Sequence, residues 1–213
     1  MSKTWLAARR HDHYYRLAKQ LDYRSRASFK LIQIDDKFKL LKPGSLVVDL
    51  GAAPGGWLQV AAERVGGRGK VIGVDLQSIE PIEGTMVETI RGDIRKPETI
   101  EKLLYLANGK VDVVLSDMSP NISGSYSTDH ARSVELCEHA LNFAKKTLVE
   151  GGSIVMKIFE GDMMKEFMKE IKANFEEVKL YGPKASRSSS SEIYIIGKGF
   201  IPRGEEATTK ESA

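Results

Sequence analysis

Short apolar runs alternate with longer amphipathic stretches along most of the chain, the signature of a parallel sheet covered by helices. The runs predict strands at 45–50 (SLVVDL), 70–76 (KVIGVDL), 85–90 (TMVETI), 111–117 (VDVVLSD), 152–159 (GSIVMKIF), 176–182 (EEVKLYG) and 191–200 (SEIYIIGKGF). Between them, helices are expected near 25–40, 57–65, 97–107, 129–149 and 162–173. The alternation stops at the end, where the last two runs are joined by a polar loop with no room for a helix, so the last strand should pair antiparallel. The expected fold class is therefore α/β, a seven-stranded, mostly parallel sheet with an antiparallel last strand.

With 213 residues, 41% apolar and 29% charged, the chain suits one ordinary soluble domain. No apolar run approaches the roughly 20 residues of a membrane-spanning helix. The opening MSKTWLAARRHDHYY lacks the apolar centre of a secretory leader. Cys137 is the only cysteine, which excludes an intramolecular disulfide and a cysteine-based metal site. A cytoplasmic monomer is expected, with no membrane partner. Net charge is only +3, but from Lys3 to Arg26 seven Lys or Arg face two acids and are interleaved with Trp5, His11, His13, Tyr14, Tyr15 and Tyr23. Cations among flat rings suit a polyanion with stackable bases, although a solvated amphipathic segment has the same composition. The expected organisation is a basic aromatic RNA-contacting segment at 1–24, a main domain at 25–202 and a flexible tail at 203–213.

The stretch DLGAAPGGWLQV (49–60) is a glycine-rich turn between a strand and a helix. Its spacing fits neither the dinucleotide fingerprint G-x-G-x-x-G nor a P-loop. Gly51, Gly55 and Gly56 would let a ligand approach the backbone, although a tight connection without a ligand can use the same glycines. Acids follow it: Asp75 ends the second predicted strand, Asp93 follows the third and Asp117 ends the fourth. In an open α/β sheet these carboxyl ends line one crevice, where ligands bind. A carboxylate at Asp75 can accept the two ribose hydroxyls of an adenosine, Asp93 can take an adenine amino hydrogen, and Asp49 lies where a cationic group would sit. A negative crevice suits S-adenosylmethionine, which has an adenosine and a sulfonium cation but no phosphate, better than NAD or ATP.

Lys157 interrupts the apolar strand SIVMKIF, where an ammonium needs partners unless it reaches solvent at the strand end. Lys30 lies on a predicted helix, Glu192 opens the last strand, and Asp117 stands in the turn SDMSPN. Each is ordinary alone, but the predicted topology brings the carboxyl ends of the fourth and fifth strands and the start of the last one together.

The segments RSRASFKL, DLGAAPGGW, GVDL, GD, SDMSPN, MKIFEG and SSSSEIY, in this order from about Arg24 to Phe200, resemble the RrmJ/FtsJ ribose 2′-O-methyltransferases. The resemblance implies a Rossmann-like S-adenosylmethionine-dependent methyltransferase fold over 25–202. It also implies a catalytic tetrad on Lys30, Asp117, Lys157 and Glu192, and cofactor contacts at Gly55, Trp57, Asp75, Asp93 and Asp117. Three of those five, Asp75, Asp93 and Asp117, are the crevice acids already identified. The implied reaction is 2′-O-methylation of a uridine in 23S-type rRNA, within the large ribosomal subunit. Lys157 would act as the base or, if it stays charged, as the group that orients the hydroxyl. Lys184 and Arg187 would add RNA contacts at the entrance beside Glu192. No metal is expected, since His11, His13, His130 and His139 lack ligand spacing. A tRNA ribose target and a catalytically silent ribosome assembly factor are the competing readings. The stand-alone length favours the ribosomal branch.

Overall fold

The computed structural model describes residues 12–109, 111–187 and 190–202. Most of the expected RNA-contacting segment before Asp12, with Trp5 and His11, and the expected tail at 203–213 lie outside the described residues. Among those described, the elements are α1 (His13–Gln20), α2 (Ser28–Phe38), β1 (Leu46–Leu50), α3 (Gly56–Val65), β2 (Lys70–Asp75), β3 (Val87–Arg91), α4 (Pro97–Ala107), β4 (Val111–Ser116), α5 (Tyr126–Thr147), β5 (Leu148–Phe159), α6 (Met164–Asn174), β6 (Phe175–Tyr181) and β7 (Glu192–Phe200).

The strands form one seven-stranded sheet in the order β3-β2-β1-β4-β5-β7-β6. The β3-β2-β1-β4-β5 portion is parallel throughout, and β7 runs antiparallel to both of its neighbours, β5 and β6. The central strands are continuous apolar runs because both their faces are covered. Leu31 and Ile34 of α2 with Leu58, Val60 and Ala61 of α3 pack on one face, against Val47, Val71, Val113 and Val155. Leu103 of α4, Leu141 and Phe143 of α5 and Phe167 of α6 pack on the other, against Val48, Ile72, Val114 and Ile154. The chain leaves β1 towards β2 on one side and reaches β4 on the other, so the switch point for ligands opens at the carboxyl ends of β1 and β4.

Two elements differ most from the expectation. The fifth strand begins at Leu148 rather than at 152, because Leu148 already pairs with Val111 and the glycines at 151 and 152 sit at a register shift inside the strand. Helix α1 was not foreseen. Asp12 caps it by accepting the Tyr15 N–H, and Ala18 packs with Phe29 of α2 and Ala185, joined by the partly buried Tyr14 and Leu17. Its apolar spacing was masked by the cations and rings on its outer side.

Candidate active site

The turn after β1 is tied to β2 by the Gly51 and Ala52 N–H groups, which donate to the Val74 carbonyl (2.9 and 3.0 Å). Gly55, the N-cap of α3, has φ +108°, a conformation that L side chains rarely adopt. Cβ atoms at Gly51 and Gly56 would collide with Met118 and with the Ser25 and Ser28 hydroxyls. At those two positions the absent Cβ makes room for neighbouring protein atoms, and the fold itself requires the glycine.

Around this turn stand the expected cofactor residues. Asp75 accepts the Ala53 N–H through Oδ2 (3.0 Å) and the Gln77 N–H through Oδ1 (2.8 Å), so its carboxylate is fixed at the rim of the turn. Trp57 is buried, donates its indole N–H to the Ala27 carbonyl (2.8 Å) and packs against the Tyr194 ring at 5.9 Å. Its side chain is committed to the protein, so only its main chain, in the first turn of α3, is left for a ligand. Asp93 is held by Arg95, whose Nε and Nη2 donate to its two oxygens (2.9 and 2.7 Å). Those bonds outweigh the partial burial and bring the Asp93 carboxyl down to about 2. Asp49 is the opposite case. It is 1% exposed, neither carboxyl oxygen meets a donor, and burial, then the charges of Asp117 and Asp75, push its pKa well above the ordinary carboxyl range.

The tetrad residues converge. In the antiparallel ladder Lys157 pairs with Tyr194 and Phe159 with Glu192. Side chains alternate along a strand, so Glu192, Tyr194 and Ile196 share the face on which α2 packs, and Lys157 shares it with Val155. Lys157 Nζ donates to the Asp117 carbonyl (2.7 Å) and lies 3.2 Å from Asp117 Oδ1. Lys30 Nζ lies 2.5 Å from Glu192 Oε1. Burial raises the Glu192 carboxyl, but the Lys30 charge and hydrogen bond overcome this and hold it below its usual range. Cys137 donates its thiol to the Lys157 carbonyl (3.1 Å), which fixes the strand beneath the lysine.

Tyr194, which the sequence reading passed over, links the two ion pairs. Its hydroxyl donates to Asp117 Oδ1 (2.6 Å), and Lys30 Nζ stands 5.8 Å from its ring centre. Burial, then the charges of Asp117 and Glu192, raise its phenol well above the ordinary value. The available signal was its position two residues after Glu192, hence on the same face.

Two clefts share Arg26 and Arg187, and the first of them reaches the tetrad. One, of about 370 Å³, is lined by Arg26, Ala27, Lys30, Arg187, Ser190 and Glu192. Its neighbour, of about 340 Å³, is lined by Tyr15, Lys19, Tyr23, Arg24 and Pro54 as well. Arg26 itself is engaged with Asp12 and the Ala185 carbonyl. Lys184 is exposed in the 183–187 loop, His13 stacks edge-on with Tyr14, and His130 bridges the Phe159 carbonyl and the Met163 N–H. Among the described residues no cluster of three or more His, Cys, Asp or Glu is arranged to hold a metal, and no helix is long and apolar enough to cross a membrane.

A sequence model of the family described as FtsJ-like methyltransferase matches residues 23–200. The chain is 56% identical over 197 residues to ribosomal RNA large subunit methyltransferase E of Methanosarcina mazei, covering 92% of this chain and 72% of that protein. It is 48% identical over 211 residues to the protein of the same name from Methanocaldococcus jannaschii, covering 98% and 86%. A crystal structure from Plasmodium falciparum described as a ribosomal RNA methyltransferase superposes with a TM-score of 0.74 at 32% identity, covering 85% of this chain and 100% of that one. An rRNA-methylase structure from Clostridium thermocellum, at 23% identity and a TM-score of 0.55, shares the fold. The relatives named as ribosomal enzymes are longer than the part matched, so short length does not mark that branch.

Proposed function

Because the chain belongs to the FtsJ-like methyltransferase family, we propose that it methylates the 2′-hydroxyl of a ribose, that of a uridine, in large-subunit ribosomal RNA with S-adenosylmethionine as donor. The observation that carries this reading is the convergence of Lys30–Glu192 and Asp117–Lys157 on Tyr194, beside the crevice after β1. The relatives' names support rRNA as the substrate.

The residues present fit the donor. Asp49 offers a buried carboxyl with no internal partner, which a cation complements. Asp75 presents an immobilised carboxylate for the ribose hydroxyls, and Asp93 would take the adenine amino group while sharing its oxygens with Arg95. Gly55 and the main chain of Trp57 would contact the donor from the turn, and Asp117, which holds Lys157, would contact it from the end of β4. Bound there, S-adenosylmethionine supplies an electrophilic methyl group. The protein's task is then to align the acceptor oxygen and remove its proton. Asp117 aims Lys157 through two oxygens, and Tyr194 fixes Asp117 in turn. Lys157, as a neutral amine, would take the 2′-hydroxyl proton as that oxygen bonds to the methyl group and the sulfur departs as a neutral thioether, while the Lys30–Glu192 pair borders the ribose from the cleft side.

Methyl incorporation into ribosomal RNA and particles, with mapping of 2′-O-methyl nucleotides, tests this. Lys157→Ala should abolish incorporation while donor affinity stays within about twofold. Lys157→Arg should also be poor, because a guanidinium does not give up its proton at accessible pH. Near-normal turnover by Lys157→Ala would remove that lysine from the mechanism. Modification confined to transfer RNA would reassign the substrate, and absence of any incorporation by the wild type would leave an assembly factor.

A further inference from the structure

Arg24 belongs to the cationic stretch expected to face RNA and lines the smaller cleft, yet its guanidinium is taken up by backbone carbonyls. Nη1 donates to the carbonyls of Glu80 (2.5 Å) and Pro54 (3.3 Å), and Nη2 donates to the carbonyl of Pro81 (2.6 Å). Its own backbone is stapled to α3, since the Arg24 N–H donates to Gln59 Oε1 (2.8 Å) and Gln59 Nε2 donates to the Asp22 carbonyl (2.9 Å). The three carbonyls come from two segments distant in sequence. Pro54 lies in the glycine-rich turn, and Glu80 and Pro81 lie in the 76–86 connection that follows Asp75. Gly55 leaves the space for this contact, because a Cβ there would press on Arg24 Nη1 and Cδ. Both segments also meet at Asp75, which holds the Ala53 and Gln77 N–H groups. The guanidinium therefore closes a seam that the Asp75 carboxylate begins, along the crevice where an adenosine would lie.

We propose that Arg24 is a positioning residue for the methyl donor: it pins the 76–86 connection onto the glycine-rich turn and thereby sets donor affinity. The inference rests on the S-adenosylmethionine reading above. A planar fork with N–H groups in fixed directions spans three carbonyls on two segments, whereas a single ammonium on a flexible stem does not. Arg26, two residues on, grips Asp12 and the Ala185 carbonyl instead, and so holds α1 and the 183–187 loop on the cleft side. Both arginines line the smaller cleft, but their guanidinium partners differ: Arg24 holds the two crevice segments together, and Arg26 holds α1 and the 183–187 loop.

Isothermal titration with S-adenosylmethionine and with its demethylated product, RNA filter binding, steady-state kinetics and amide hydrogen exchange on Arg24→Lys and Arg26→Lys test the division. For Arg24→Lys the dissociation constants of donor and product should rise about tenfold, the loss expected for weakening the charge-assisted bonds to these three carbonyls. Donor KM should rise with kcat at saturation within about twofold, RNA affinity should hold, and exchange should quicken in 76–86. Arg26→Lys should show the reverse pattern, weaker RNA binding with donor affinity intact. Unchanged donor affinity in Arg24→Lys overturns the proposal, as does loss of RNA affinity alone, which would make Arg24 a phosphate contact. A melting temperature near that of the wild type establishes that the lysine variant is folded. Failure of the wild type to bind the donor would sink the parent reading and is visible separately.

Discussion

Asp49 carries a cost that the fold alone does not offset. Its carboxyl lies at the carboxyl end of β1 without a donor, and burial together with Asp117 and Asp75 keeps it protonated well above the ordinary carboxyl range. Below about pH 3.9 it is protonated both folded and unfolded, and nothing is lost. Above that value the unfolded chain ionises while the folded one keeps its proton, so stability falls with rising pH until the raised folded value is passed. Asp49→Asn should therefore match the wild type in acid, and exceed it in denaturant melts by a margin that grows towards neutral pH. The same variant should bind S-adenosylmethionine more weakly. A pH-independent difference in stability would show that the carboxyl finds a partner within the fold. Lys157 stood out in the sequence because it broke an apolar run, while its grouping with Lys30, Asp117 and Glu192 followed from the predicted strand order and the family resemblance. Arg24 was legible only as a cation. Its partners are backbone carbonyls, which carry no residue identity, so no pattern of side chains could reveal them.

At the scale of elements, α1 shows what was missed. The cationic, aromatic composition of the N-terminal stretch drew attention to its outer side, while Tyr14, Leu17 and Ala18 kept a helical spacing on the inner one. Asp12 both caps this helix and pairs with Arg26. Asp12→Ala should cost about 1–2 kcal/mol in denaturant titrations, the upper range for an N-cap, because Arg26 also loses its partner. RNA binding should weaken and donor binding should not. Equal loss of both would mean that α1 supports the whole domain. The β-strands were placed nearly to the residue wherever apolar runs had polar borders. The start of β5 was not, because a pair of glycines that reads as a break proved to be an irregularity inside a continuing strand.

Across the whole molecule, the clefts beside the tetrad gather Lys19, Arg187 and the aromatic rings of Tyr15 and Tyr23 into one basic surface. Phosphates bound there release counterions, so affinity for RNA should fall steeply as salt rises, and Arg187→Ala should lower the slope of log K against log salt by about 0.7. Affinity indifferent to salt would refute the electrostatic assignment. The sheet order was only half legible: an antiparallel last strand followed from the missing crossover, but its insertion between β5 and β6 did not, since pairing partners distant in sequence leave no local mark. That insertion makes one event of two. Until β7 slides between β5 and β6, the sheet has raw edges on both sides of the gap, and Glu192 and Tyr194 are missing from the face where Lys30 and Lys157 wait. If the proposed function holds, a molecule without that insertion lacks Glu192 and Tyr194 at the site and should transfer no methyl group.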